Sequence, residues 1–219
     1  MISEKLAEIQ KSIPANVCLV AVSKTKPVAD LVEAYQAGQR HFGENKVQEM
    51  TEKWEVLPKD IQWHLIGHLQ TNKVKYIAPY VHLIHSVDSL KLLTEINKQG
   101  AKNQRVISVL LQFYIAKEET KFGLDYEEAN HLLNSEEYKS FKNIQVVGVM
   151  GMASFTVDDS IVRAEFSQLK EFFSKLKSTF FQNDDSFKEI SMGMSGDYQL
   201  AIEEGSTIVR VGSSIFGGR

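Results

Sequence analysis

The stretch "CLVAVSKTKPV", residues 18–28, begins as an apolar strand and turns polar at Lys24, with Lys26 and Pro27 close behind. The turn after a first strand separates two architectures. An open, doubly wound sheet that binds a dinucleotide needs glycine in that turn, where the backbone must approach a pyrophosphate. "SKTKP" supplies none. Lysine is also a poor core residue, so a strand that runs into one is expected to open onto a site or a rim.

Outward from this strand, short apolar runs recur. They predict eight strands, at residues 17–23, 40–43, 62–67, 82–86, 105–112, 145–150, 189–193 and 207–211. Helical patterns fill the gaps. "PVADLVEAYQAGQ" opens on proline and closes on glycine, the expected helix punctuation. "VDSLKLLTEINKQG" offers Asp88 or Ser89 as a cap and Gly100 as a stop. "DYEEANHLLNSEEY" follows the fifth strand. "DDSIVRAEFSQLKEFFSKLKSTF" follows the sixth, with apolar residues at three- and four-residue spacing. "SGDYQLAIEEGS" predicts a short helix before the last strand, and "MISEKLAEIQ" an amphipathic helix at the start. Alternating units of this kind imply a parallel sheet covered by helices. Eight of them without a composition break favour a closed barrel over the open sheet. The expectation is a single-domain (β/α)8 TIM barrel over residues 1–219 with an extra N-terminal helix. It is compact beside the roughly 250 residues usual for that fold.

Composition narrows the function classes. A formal net charge of -3 leaves no electrostatic footprint for nucleic acid or an anionic membrane. One cysteine, Cys18, excludes an internal disulfide and a zinc site built on several cysteines. No apolar run reaches the roughly 18 residues of a membrane span, and the N-terminus lacks the apolar core of a signal peptide. A reduced, cytoplasmic protein is expected. His64, His82 and His85 sit in or beside strands in no recognisable metal spacing, and read as core or rim residues.

In such a barrel the active site lies at the C-terminal strand ends. Those ends carry Ser23 and Lys24, Glu44 and Asn45, His68 and Gln70, Ser86 and Asp88, Gln112, and then "MGMAS", "MSGD" and "VGSS". The loops after strands seven and eight are this fold's habitual phosphate site. Here they combine glycine, for close backbone approach, with serine hydroxyls that donate to oxyanions. Ser195 and Gly196 are expected to begin one helix, and Gly212, Ser213 and Ser214 another. Taken singly, either loop reads better as a cap or a turn; both falling at the phosphate-prone strands reverses that reading. Arg210 lies within "TIVRVG" and must be paired, with Glu44 or Asp88 as candidates, or must line the site. Lys24 alone would read as a snorkelling rim lysine. Beside a phosphate site and an inward arginine, it fits a Schiff base with a phosphorylated aldehyde, a chemistry that partly desolvated lysines favour.

These residues carry a resemblance. "AVSKTKP", "HFGENKVQE", "WHLIGHLQTNK", "HSVDS", "KFGL", "VVGVMGMA" and "SMGMSGDYQLAIEEGSTIVRVGSSIFGGR" run in order from about Leu19 to the C-terminus. In these motifs the chain resembles the pyridoxal phosphate homeostasis proteins, single-domain relatives of the N-terminal barrel of alanine racemase (fold type III). The resemblance implies pyridoxal 5'-phosphate as cofactor, with Lys24, not Lys26, forming the Schiff base. It places Ser195, Gly212 and Ser213 at the cofactor phosphate and Arg210 opposite the pyridine nitrogen, with Asn45 and Met194 as further pocket residues. No catalytic role falls to His68, because family members differ there.

Alanine racemase takes a second base, a tyrosine, from a C-terminal β-domain. This chain ends at "FGGR", and none of its seven tyrosines stands in a matching context. The expectation is therefore a cofactor-holding protein that serves intracellular pyridoxal phosphate homeostasis and delivery to apoenzymes dependent on it. A monomer is expected, since the racemase's dimer contacts lie in the domain this chain lacks. The alternatives are a one-base racemase or lyase and, further off, a sugar-phosphate barrel enzyme. Lys117, Lys121 and the acidic residues of "AKEETKFGL" are expected to form a mobile loop after the fifth strand.

Overall fold

A computed structural model describes residues 1–116 and 122–218. Eight parallel strands close into a barrel in sequence order, β1 (Cys18–Val22), β2 (His41–Glu44), β3 (Gln62–Leu65), β4 (Leu83–Val87), β5 (Ile107–Gln112), β6 (Ile144–Met150), β7 (Glu189–Ser191) and β8 (Ile208–Val211). The seam is made by β1 and β8, which pair from Cys18 and Ile208 to Ala21 and Val211. Each predicted strand is present. The open-sheet alternative is excluded by this closure. The expected loop over Lys117 and Lys121 lies outside the described residues.

The N-terminal helix α1 (Ile2–Ser12) precedes the barrel, followed in the crossovers by α2 (Val28–Gln36) and α3 (Val47–Val56). After β3 come a single 3-10 turn at Thr71–Lys73 and α4 (Val74–Ile77), and after β4 comes α5 (Leu90–Lys102). Next are α6 (Tyr126–Asn134), α7 (Glu136–Lys139), α8 (Asp159–Phe180), α9 (Tyr198–Glu203) and α10 (Ser213–Phe216). Of the two candidate caps for α5, Ser89 is used, its hydroxyl accepting from Leu92 N at 3.3 Å.

Three helix boundaries differ from expectation. Gly100 does not stop α5, which continues to Lys102. The glycine is needed for packing instead, since a Cβ there would meet the Asn143 carbonyl at 2.6 Å. "DYEEANHLLNSEEY" divides at Ser135, extended at ψ 142, which caps α7 through Tyr138 N. Ser195 and Gly196 do not open α9; Asp197 does, accepting from Met194 N at 2.5 Å.

Period-two alternation sorts the strand residues into two shells. Leu19, Ala21, Trp63, Leu65, Ile84, Val109, Val209 and Val211 join the buried helix faces in one large core. Their alternates Val20, Leu83, Leu110, Met150 and Ile208 form a separate cluster without helix residues, which is the barrel interior. That interior is not wholly apolar. His64, His85, Ser191 and Arg210 are buried on the same inward parity.

These polar groups form one chain. His41 Nδ1 lies 3.0 Å from His64 Nε2, and His64 Nδ1 lies 2.8 Å from His85 Nε2. His85 Nδ1 lies 2.9 Å from Ser191 Oγ, which accepts from Arg210 Nη1 at 2.6 Å. Burial holds His64 and His85 well below the usual imidazole range, with neighbouring imidazoles and, for His85, Arg210 adding to it. They are therefore neutral rings, each with one donor and one acceptor, as an uncharged chain through a core requires.

Candidate functional site

Barrel closure brings the ends of β1, β2, β3, β5 and β8 and the loop after β7 around one cavity of about 570 Å³. Lys24, Asn45, Met194, Ser195, Arg210, Gly212 and Ser213 all line it. Sequence reasoning thus picked out residues that lie far apart in the chain and meet in space.

Lys24 sits half-buried two residues beyond β1, and no hydrogen bond or ion pair engages its amine among the described residues. Lys26 is engaged elsewhere. Its Nζ donates to the Gly218 carbonyl at 2.9 Å, tying the end of β1 to the end of the chain. Between them Thr25 takes the left-handed conformation, φ 64°. For a β-branched residue this is strained, at a cost on the order of 1–3 kcal/mol.

A buried ionic network beneath the turn holds that strain. Lys53 Nζ donates to Ser23 O at 2.8 Å, Glu44 Oε1 at 2.7 Å and Glu49 Oε1 at 2.7 Å. Ser23 Oγ also donates to Glu44 Oε1, at 2.7 Å, and Thr25 N donates to Glu49 Oε1 at 2.6 Å. Burial raises the Glu44 carboxyl above its usual range, opposed by Lys53 and Ser23. Sequence reading saw Glu44 as a partner for Arg210 and missed Lys53. The available signal was helical spacing, since Glu49 and Lys53 stand one turn apart on α3.

Neither Glu44 nor Asp88 pairs with Arg210, which corrects that candidate pairing. Arg210 donates to Ser191 Oγ and, at 3.2 Å, to the Gly151 carbonyl. Burial pushes its guanidinium down to about 10, with the Asp197 charge opposing. It remains a cation at neutral pH, facing a cavity.

The loops after β7 and β8 touch directly, since Ser195 Oγ accepts from Gly212 N at 3.1 Å. A Cβ on Gly212 would meet the Val22 carbonyl at 3.0 Å, so glycine lets this backbone lie against the end of β1. Ser213 and Ser214 are exposed beside it. The pocket thus offers several hydroxyls rather than a helix dipole, because α9 and α10 have only 6 and 4 residues. Asn45 is set by Gly67, where a Cβ would meet the Asn45 carbonyl at 2.3 Å. His68 also lines the cavity, and exposed Phe122, Met152, Phe155 and Met194 form an apolar mouth.

The family model described as "Alanine racemase, N-terminal domain" matches residues 1–219, and the barrel is of that class. Alanine racemase from Bartonella henselae shares the fold at a TM-score of 0.75 and 16% identity, the chain covering 58% of its length. Nearer relatives are more specific. The pyridoxal phosphate homeostasis protein of Aquifex aeolicus is 41% identical, the match covering 92% of this chain and 86% of the relative. That of Schizosaccharomyces pombe is 40% identical over 97% and 89%. Among solved structures, PipY of Synechococcus elongatus without PLP gives a TM-score of 0.91 at 37% identity, covering 99% of this chain and 100% of that one. The same protein with PLP bound gives 0.89. The chain belongs to the pyridoxal phosphate homeostasis protein family.

Among the described residues no helix is long and apolar enough to cross a membrane.

Proposed function

We propose that this chain binds pyridoxal 5'-phosphate in the rim cavity, holds it as a Schiff base on Lys24, and serves cofactor homeostasis and delivery to apoenzymes in the cytoplasm without efficient catalysis of its own. The observation that carries this reading is one cavity lined by an unengaged lysine, a buried arginine and two touching phosphate-type loops. The relative solved with PLP bound supports the ligand.

The residues fit the group. Lys24 would supply the amine that holds its aldehyde, water being the leaving group. The hydroxyls of Ser195 and Ser213 suit its phosphate, and Gly212 allows the close backbone approach, since a side chain there would crowd Val22. Arg210 supplies a cation which, opposite a pyridine nitrogen, disfavours its protonation and weakens electron withdrawal. No tyrosine stands among the described residues lining the cavity, which supports a holding role over two-base catalysis.

One observation favours the second reading, a one-base racemase or lyase: His68 lines the same cavity as Lys24. Borohydride reduction of the loaded protein followed by peptide mapping tests the site. The label is expected on Lys24, and a label on Lys26 or Lys73 sinks the assignment. Incubation with single L-amino acids tests catalysis, and steady racemisation or elimination would establish the second reading.

A further inference from the structure

The barrel's other end carries a feature that the rim site does not use. His41 opens β2, His64 lies within β3, and His82 immediately precedes β4, so three adjacent strands deliver three imidazoles to the N-terminal side of the barrel. One ring nitrogen from each lies within 4.8 Å of the other two. The ring centroids are 5.2 Å apart for His41 and His64, 5.2 Å for His64 and His82, and 5.7 Å for His41 and His82.

We propose that His41, His64 and His82 form a binding site for a divalent transition-metal ion of the zinc class, with water completing the coordination. Three imidazoles suit zinc, copper, nickel and iron rather than calcium or magnesium, which prefer oxygen ligands. Zinc–nitrogen bonds of about 2.0–2.1 Å in a tetrahedron place ligand nitrogens roughly 3.4 Å apart. The His41 and His64 nitrogens already meet at 3.0 Å, and exposed His82 needs only a small side-chain adjustment to join them.

The second shell is in place. His64 Nδ1 faces His85 Nε2 at 2.8 Å, so donation of the Nδ1 proton to His85 leaves the Nε2 lone pair directed at the site. His85 is seated in turn on Ser191 at 2.9 Å. Metal-bound histidines characteristically give their other ring N–H to such a partner, which fixes tautomer and ring orientation. All three rings are neutral when one nitrogen ligates, so binding needs a tautomer choice and no net proton loss.

Access is provided as well. His82 is exposed, and His41 lines a solvent-open cleft of about 600 Å³ beside Gln39 and Arg40. Arg105, whose charge bears on His82, spends its guanidinium on the Ala78 carbonyl at 2.6 Å and the Val81 carbonyl at 2.8 Å. Among the described residues no hydrogen bond engages the His82 ring.

The test uses the full chain, stripped with a chelator and titrated with zinc(II) by calorimetry and with cobalt(II) by visible absorption. One equivalent of either ion is expected to bind, with a tetrahedral cobalt spectrum. His82→Ala alters an exposed side chain, so its thermal unfolding should match the parent's while metal affinity falls by roughly 100-fold or more, beyond the 10- to 100-fold typical of a lost outer partner. His131→Ala, on exposed α6, should bind as the parent does. Failure of either ion to bind, binding unchanged in His82→Ala, or equal loss in His131→Ala overturns the proposal.

Discussion

The guanidinium of Arg210 rests on the hydroxyl of Ser191, 2.6 Å away, and no carboxylate forms an ion pair with it among the described residues. A buried cation with no carboxylate in contact, only the more distant charge of Asp197, is costly to the fold. Arg210→Met is therefore expected to leave the unfolding free energy of the ligand-free protein within about 1 kcal/mol of the parent's, or to raise it. Pyridoxal phosphate affinity should fall. Urea unfolding and equilibrium dialysis read the two effects separately. A stability loss of several kcal/mol would make Arg210 a structural anchor rather than a ligand group.

Ser195→Ala removes a hydroxyl that accepts from Gly212 N and is placed to donate to an anion. A hydrogen bond to a charged group is worth about 1.5–3 kcal/mol, so pyridoxal phosphate should bind roughly 10- to 150-fold more weakly. Unphosphorylated pyridoxal should bind the variant and the parent alike. Equal weakening of both ligands would place the phosphate elsewhere.

Lys53 neutralises Glu44 inside the fold, where both side chains are almost wholly buried. Lys53→Ala strands the carboxylate and should cost about 3–5 kcal/mol of unfolding free energy. The pair replacement Lys53→Met with Glu44→Leu should recover most of that loss. Urea titrations of the two variants check the prediction, which fails if the single variant is as stable as the parent.

Cys18 provides an alkaline signature. Burial, with the Glu189 charge added, pushes its thiol from 9.0 up to about 12. Between those pH values the unfolded chain releases a proton that the native chain keeps, so stability falls as pH rises, by at most about 1.4 kcal/mol per unit. Tyr80 and Tyr138, also pushed up to about 12 by burial from the ordinary tyrosine value of 10.0, join only above that lower value. Cys18→Ala should therefore flatten the decline between about pH 9 and 10, as read by unfolding midpoints across that range. An unchanged slope would show that the native thiol ionises normally.

The barrel was legible because buried parallel strands are short apolar runs, and eight of them alternate with helices here. Lys24 and Arg210 were legible because charged residues in or beside such strands need a reason. Helix boundaries were less so. Gly100 reads as a stop, and only the approach of the Asn143 carbonyl reveals its packing role. The ionic network and the histidine chain were hidden for a different reason. Lys53 reaches Ser23 across 30 residues and His85 reaches Ser191 across 106, contacts that exist only once the strands have a register and an inward face. Inward parity was the clue, since His64 and His85 occupy positions alternate to Trp63, Leu65 and Ile84.

The bond from Lys26 to the Gly218 carbonyl joins groups 192 residues apart, across the same seam where β1 meets β8. Most of the barrel can assemble from neighbours in sequence, but this closure joins the first strand to the last and so carries a large loop-closure entropy. The cavity that holds Lys24 on one side and Arg210 and Gly212 on the other therefore does not exist in any partly folded chain that lacks either terminal strand. A ligand bridging it would be a clasp on that joint. Its grip would slow the opening of that joint first, making seam-opening rates, rather than global unfolding, the most sensitive kinetic reporter of occupancy.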